Sequence, residues 1–325
     1  MRGLLTVFNK ELADYFISWR GIILFGVVLL TAVFAIYGPA GALQNIRADL
    51  TSTSQFGAAQ FVFLRLFTTS GQSSLSFLYF VSAFLIPIIG IAFGFDAINS
   101  EKNSGTLSRL LSQPIYRDTV FNGKFFAGIT TIAIMLTSII LLISGLGLSM
   151  IGVPPSSEEV FRLFLFIVMG TLYGAFWLGL AMLFSTFLQR VATSALATIA
   201  VWIFFLIFMA MISTFIANTM APINDTSTTQ EIFRNIEIQI TASRASPIFL
   251  FQEATTVILA PGERTASELL QLLQQSSGGG LISSTLPLGQ SILTIWPHIV
   301  TFIAIPTMLF AISYYKFMRE EIRST

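Results

Sequence analysis

Residues 77–95 read FLYFVSAFLIPIIGIAFGF, and residues 96–114 read DAINSEKNSGTLSRLLSQP. The first stretch holds no Asp, Glu, Lys or Arg. The second holds Asp96, Glu101, Lys102 and Arg109, is broken by Gly105 and ends at Pro114. A helix needs about 20 apolar residues to cross roughly 30 Å of hydrocarbon. The first stretch therefore reads as a membrane span and the second as the segment that emerges from it.

The composition extends that reading to the whole chain. Of 325 residues 54% are hydrophobic, 32 are Phe, and only 10% are charged. A soluble domain carries about 25% charged residues, so this chain has too few to wet its surface. The class is all-α integral membrane protein, and the length suits one polytopic domain over 1–325. A net charge of +1 gives no reason to expect a nucleic-acid partner. Without Cys there are no disulfides and no thiolate chemistry. The opening MRGLLTVFNKELADYFISWRG intersperses charge and lacks a small-residue cleavage site, so no cleavable leader is expected.

Six apolar segments stand out, near 21–37, 77–95, 125–150, 161–187, 193–217 and 295–315. The first extends back toward Trp19. Alternating barrel patterning is absent, so the spans are helices that satisfy their own backbone. Pro87 and Pro306 sit inside two of them and read as kinks.

Orientation follows from the 17 basic residues. With the N-terminus inside, eleven lie inside (Arg2, Lys10, Arg20, Lys102, Arg109, Arg117, Lys124, Arg190, Lys316, Arg319 and Arg323). Six lie outside (Arg47, Arg65, Arg162, Arg234, Arg244 and Arg264), mostly in long loops that weigh little. Both termini and the 96–124 segment are then expected in the cytoplasm, with the chain multi-pass in the plasma membrane.

Residues 1–20 carry their own pattern. Leu5, Phe8, Leu12, Tyr15, Phe16 and Trp19 recur at helical spacing, so an amphipathic helix lying in the inner interface is expected. Two loops face outside, 38–76 and 218–294. The larger carries an apolar stripe at Ile232, Phe233, Ile236 and Ile240, then SPIFLFQEATTVILAP, a short helix opened by Thr265 or Ser267, and a flexible SSGGG joint at 276–280. Outer loops of this length have room to shape an exit, bind an extracytoplasmic partner or cap the bundle.

Motif chemistry is mostly absent. There is one His (His298), no HExxH, no G-x-S-x-G and no G-x-x-x-x-G-K-[ST], so no ATP hydrolysis by this chain is expected; FNGKFF at 121–126 lacks the upstream glycine and the hydroxyl residue. His298, beside Trp296, reads as an interfacial anchor rather than a metal ligand. The spans carry almost no ionisable side chain away from their ends, which argues against a proton-coupled transporter or an intramembrane hydrolase. They offer hydroxyls instead, at Thr130, Thr131, Thr137, Ser138, Ser144, Ser149, Thr193, Ser194 and Thr198, and small residues at Gly170, Gly174 and Gly179. Helix packing accounts for them more simply than a substrate path does.

Within 96–124, Asp96 ends the second span, Ser104 caps a short helix and Pro114 stops it. Leu107, Leu110 and Leu111 share a face, Asn122-Gly123 reads as a turn, and Lys124 as a headgroup anchor. The segment reads either as an ordinary inside loop or, since such a loop rarely needs a leucine face, with comparable weight as a docking surface.

The stretch E-K-N-S-G-T-L-S-R-L-L-S-Q-P-I-Y-R at 101–117, followed by Gly123-Lys124, resembles the signature of ABC-2 type transporter permeases and is nearest to their NosY-like branch. The matching positions are Glu101, Gly105, Thr106, Leu107, Leu110, Leu111, Ser112, Pro114, Arg117, Gly123 and Lys124. Ser246, Pro247, Glu253, Ala254, Leu259 and Pro261, and the ending YYKFMREEIR at 314–323, are similar to later family segments. The resemblance implies a type V exporter-like fold, with a coupling helix between the second and third spans. It implies a half-transporter that pairs with a second copy or paralogue and with two cytosolic ATPase subunits, which bind ATP-Mg. Glu101 and Arg109 would be polar contacts to the ATPase and Leu107, Leu110 and Leu111 apolar ones, with Gly105, Thr106, Pro114 and Arg117 shaping the same segment. No cofactor, metal site or catalytic residue is expected in this chain. A membrane scaffold acting through 218–294 and an ATP-independent transporter are the rival classes.

Overall fold

The structure, a computed structural model, describes residues 2–37, 61, 63–68, 77–105, 116–224, 227–261 and 287–319. They form helices α1 (Arg2–Ile17), α2 (Trp19–Tyr37), α3 (Phe77–Asn103), α4 (Arg117–Ile151), α5 (Ser157–Phe187), α6 (Val191–Met220), α7 (Thr229–Ser243), α8 (Pro247–Leu259) and α9 (Leu288–Arg319). No strand occurs among the described residues. Five helices (α3, α4, α5, α6 and α9) are long and apolar enough to cross a membrane. A sixth crossing is reached if α1 and α2, which meet at a bend of 65°, count together.

The core forms around α5, which packs against α3, α4, α8 and α9. Phe166, Tyr173 and Trp177 are completely buried there. Between apolar helices in lipid no hydrophobic force operates, so contact comes from close backbone approach at small residues. Gly90 and Gly94 of α3 supply it. A methyl group at Gly90 would stand 2.8 Å from Trp177 Cβ and 3.1 Å from the Gly174 carbonyl oxygen, and one at Gly94 2.6 Å from Ala181 Cβ. From the other side, Gly170 and Gly174 receive Leu136 and Ile132 of α4. The glycines of the fourth span thus pack helices, as their spacing implies.

Pro87 has no N–H, so a carbonyl one turn back loses its ladder partner. The chain answers with a π-turn at Val81–Leu85. Side chains of two neighbouring helices then close the gap. Tyr173 Oη donates to the Ser82 carbonyl at 2.8 Å, and Trp202 Nε1 donates to the Ala83 carbonyl at 2.8 Å. The kink is thereby pinned on both sides by α5 and α6.

The helices alternate in direction. At one end lie α1, the starts of α2, α4 and α6, and the ends of α3, α5 and α9. Phe121 stacks within 5.5 Å of Phe317, and Asn103 Nδ2 donates to the Gln189 carbonyl at 3.1 Å. Arg2 of α1 and Arg319 of α9 therefore share this end, called the α1 end below. At the far end Phe63, Leu64, Leu66 and Phe67 of the first loop are buried, with Leu66 seated over Gly147. α6 runs along the margin, exposing Leu196, Phe204, Phe208, Met211 and Phe215, which is the surface a bilayer covers.

Several sequence expectations need correction. Asn122-Gly123 makes no turn: both residues lie inside α4, which starts at Arg117 instead of near 125. Packing overrides the turn propensity, because the missing side chain of Gly123 admits Val7 of α1 within 2.7 Å of where its Cβ would be. Lys124 is no headgroup anchor, being 5% exposed. His298 lies one turn or more inside α9, 8% exposed and against Glu253, so it does not reach the interface as an anchor. Thr265, Ser267 and the SSGGG joint lie outside the described residues.

Candidate functional site

The residues singled out in 101–117 divide in two. Glu101, Gly105 and Arg117 are described; Thr106, Leu107, Arg109, Leu110, Leu111 and Pro114 lie outside the described residues. The flanks of the segment are anchored in unusual detail. The backbone N–H groups of Ile98 and Asn99 both donate to Ser185 Oγ, at 3.0 and 3.2 Å, tying the end of α3 to the end of α5. Gly105 sits at φ +68°, a left-handed conformation that glycine adopts without steric cost, and so ends the helical turn there.

Charge does the rest. Lys124 Nζ lies 2.8 Å from Glu11 Oε2 and 2.8 Å from Glu101 Oε1, and its side chain is 6% exposed. Lys10 Nζ approaches Glu11 Oε1 at 3.1 Å. The order Lys10, Glu11, Lys124, Glu101 alternates in sign, so each buried charge faces its opposite. This is the condition under which ions survive removal from water. Burial works against the Glu11 charge, but the Lys124 and Lys10 ammoniums beside it prevail and hold its carboxyl below the ordinary carboxylate range. One turn further along α3, Arg20 Nη2 meets Asp96 at 2.8 Å while Nη1 donates to the Ala92 carbonyl at 3.2 Å. These groups enclose a polar cleft of about 210 Å³ between α1, α3 and α4, floored by Tyr15 and Phe93. Sequence reasoning named Glu101 and Lys124 but missed that Glu11 joins them and that Asp96 pairs with Arg20. The signal was available: both are acids beside apolar residues, where an unpaired charge is costly.

The far end uses charge differently. Arg162, 1% exposed, pairs with Glu158 at 2.8 Å and donates to the Ile258 carbonyl at 3.1 Å and to Ser291 Oγ at 3.2 Å. It joins α5, α8 and α9. Glu159 closes a capping box with Ser156 and accepts the Phe63 N–H at 2.9 Å. Glu253 accepts from Arg244 at 2.7 Å and lies 3.0 Å from His298 Nε2. In the long helices, hydroxyls such as those of Thr130, Thr131, Thr137 and Ser138 bond back to the carbonyl four residues earlier, so they need no other partner. No cluster of His, Cys, Asp and Glu suited to a metal ion occurs among the described residues.

Apolar helices of spanning length, packed through glycines and bearing charge only at their ends, define a multi-pass helical membrane protein. The family model of the ABC-2 family transporter proteins matches residues 5–322. The chain belongs to that family. Two relatives carry the name "Probable ABC transporter permease protein NosY". The chain is 27% identical to that of Stutzerimonas stutzeri over 147 residues, covering 43% of this chain and 50% of the relative. It is 27% identical to that of Pseudomonas aeruginosa over 205 residues, covering 62% and 66%. The match thus spans half to about two thirds of these relatives.

Proposed function

We propose that this chain is the permease subunit of an ATP-driven transporter and works as an exporter. The α1 end faces the cytoplasm and the plasma membrane holds the bundle, with α1 lying along the inner interface and α2 crossing as the first of six spans. The excess of Lys and Arg at that end supports this orientation, and the exposed Ile17 and Trp19 beside the bend suit the headgroup level. Two permeases, identical or paralogous, pair with two cytosolic ATPase subunits that bind ATP-Mg. The coupling segment at 96–124 receives the ATPase stroke.

The observation that carries this reading is the family match over 5–322. Two sequence features support it. The chain lacks a P-loop, so its energy is supplied by a partner. Its spans lack midplane charge, so coupling is mechanical rather than ionic. Glu101, engaged by Lys124, shapes the coupling segment from inside; Leu107, Leu110 and Leu111 are the apolar anchors for the ATPase, with Arg109 at their rim.

The test is co-purification with a co-expressed ABC ATPase whose gene, if present, neighbours that of this chain; no such gene nearby would favour the scaffold reading. Leu110→Asp abolishes the association while membrane insertion is intact. An ATPase that stays bound and equally active with Leu110→Asp contradicts the coupling assignment, and wild-type chain that binds no ATPase contradicts the permease reading.

A further inference from the structure

The N-terminal helix holds the coupling segment by charge. Three observations meet at one place. Lys124, buried in α4, places its ammonium 2.8 Å from carboxylates of two other elements, Glu11 of α1 and Glu101 at the root of the coupling segment. α1 lies against the first turns of α4, with Val7 filling the space left by Gly123, and a methyl group at Gly3 would stand 3.6 Å from Thr119 Cγ2. Beside Glu101, the amide of Asn99 is completely buried, and neither its oxygen nor its nitrogen has a hydrogen-bond partner. An unmade bond of this kind is costly.

We propose that Lys124 is a positioning residue that locks α1 to the coupling segment, so that the two move as one body when the segment is driven. The inference rests on the permease reading above and deepens it by adding α1 to the moving parts. Its physics is that of a buried ion bridge between elements. While Lys124 holds both carboxylates, separating α1 from the segment would leave one of them buried without its cation, so displacement of either is carried to the other. Arg20, bound to Asp96 at 2.8 Å, passes the same displacement to the first turn of α2.

The test uses full-length chain with its ATPase in lipid nanodiscs. The chain has no cysteine of its own, so spin labels go on Ala13→Cys in α1, Ser104→Cys in the coupling segment and Phe164→Cys in α5 as reference, all exposed positions. Without nucleotide, the Ala13–Ser104 distance distribution is narrow in the wild type and at least twofold broader with Glu101→Gln. That variant keeps the Lys124–Glu11 pair, and Lys124→Arg retains the narrow distribution. With ATP and vanadate, both labels shift together against Phe164 in the wild type, whereas with Glu101→Gln only Ser104 shifts. A narrow distribution with Glu101→Gln, or a wild-type Ala13 that stays fixed while Ser104 moves, overturns the lock. A nucleotide-free result as expected with no shift of either label on ATP overturns the ATP-driven reading and leaves the static tie standing.

Discussion

The two ends of the bundle both bury charge, but they bind it to different things. At the far end Arg162 grips the Ile258 carbonyl and the Ser291 hydroxyl, and Glu159 grips backbone N–H groups through its capping box. The far end carries side-chain ties between helices as well, with Glu253 of α8 meeting Arg244 and His298 of α9. At the α1 end Lys124 grips two side chains on separate elements, and Arg20 grips a third. Side-chain partners can part while every helix stays intact. The far end adds backbone ties to its side-chain pairs, whereas the α1 end joins α1, α3 and α4 through a row of side-chain charges alternating in sign.

Substitutions can break that contrast. Lys124→Met leaves two buried carboxylates facing each other and is expected to cost about 3–5 kcal/mol, read as a lower midpoint of heat-induced loss of monomer in detergent. Restoring neutrality with Glu11→Gln and Glu101→Gln in the same chain should recover most of it. Arg162→Met is expected to cost about 3 kcal/mol, because Glu158 keeps access to water while the carbonyl and Ser291 lose their donor; no second substitution in the cluster should rescue it. Equal rescue at both ends would erase the distinction between them.

The smallest effect is one of pH. The Glu11 carboxyl is held below its ordinary value of 4.5. In the pH range between the ordinary and the lowered value the folded chain binds fewer protons than the unfolded one, so stability rises with pH there. The contribution is fully present above 4.5 and is lost as pH falls through the lowered value. Glu11→Gln should flatten the acid limb of the stability profile, and an unchanged limb would place the titration elsewhere.

Spans were legible because length and apolar content alone decide them: α3, α4, α5, α6 and α9 fall where the apolar runs lie, each longer than its run. The ends were not. Asn122-Gly123 carries a strong local turn signal, yet it is helical because α1 packs on Gly123, a contact 116 residues away in the chain that no local pattern encodes. Lys124 reads as a snorkelling lysine until Glu11 and Glu101 are brought to it. Pro87 was legible as a break, but not the Tyr173 and Trp202 side chains that mend it. Of the candidate site, the 101–117 segment was singled out from a short motif, whereas the charges at its root belong to three helices and become visible only when the helices pack.

In the proposed transporter, motion enters at the α1 end and the far end stays fixed. Hydrogen–deuterium exchange on the chain assembled with an ABC ATPase, comparing nucleotide-free and ATP-vanadate states, reads this out. Changed exchange is expected in peptides covering α1, 96–124 and the start of α4, with peptides covering 156–163 and 255–260 unchanged. Changes confined to the far end, or spread evenly over both, would contradict it.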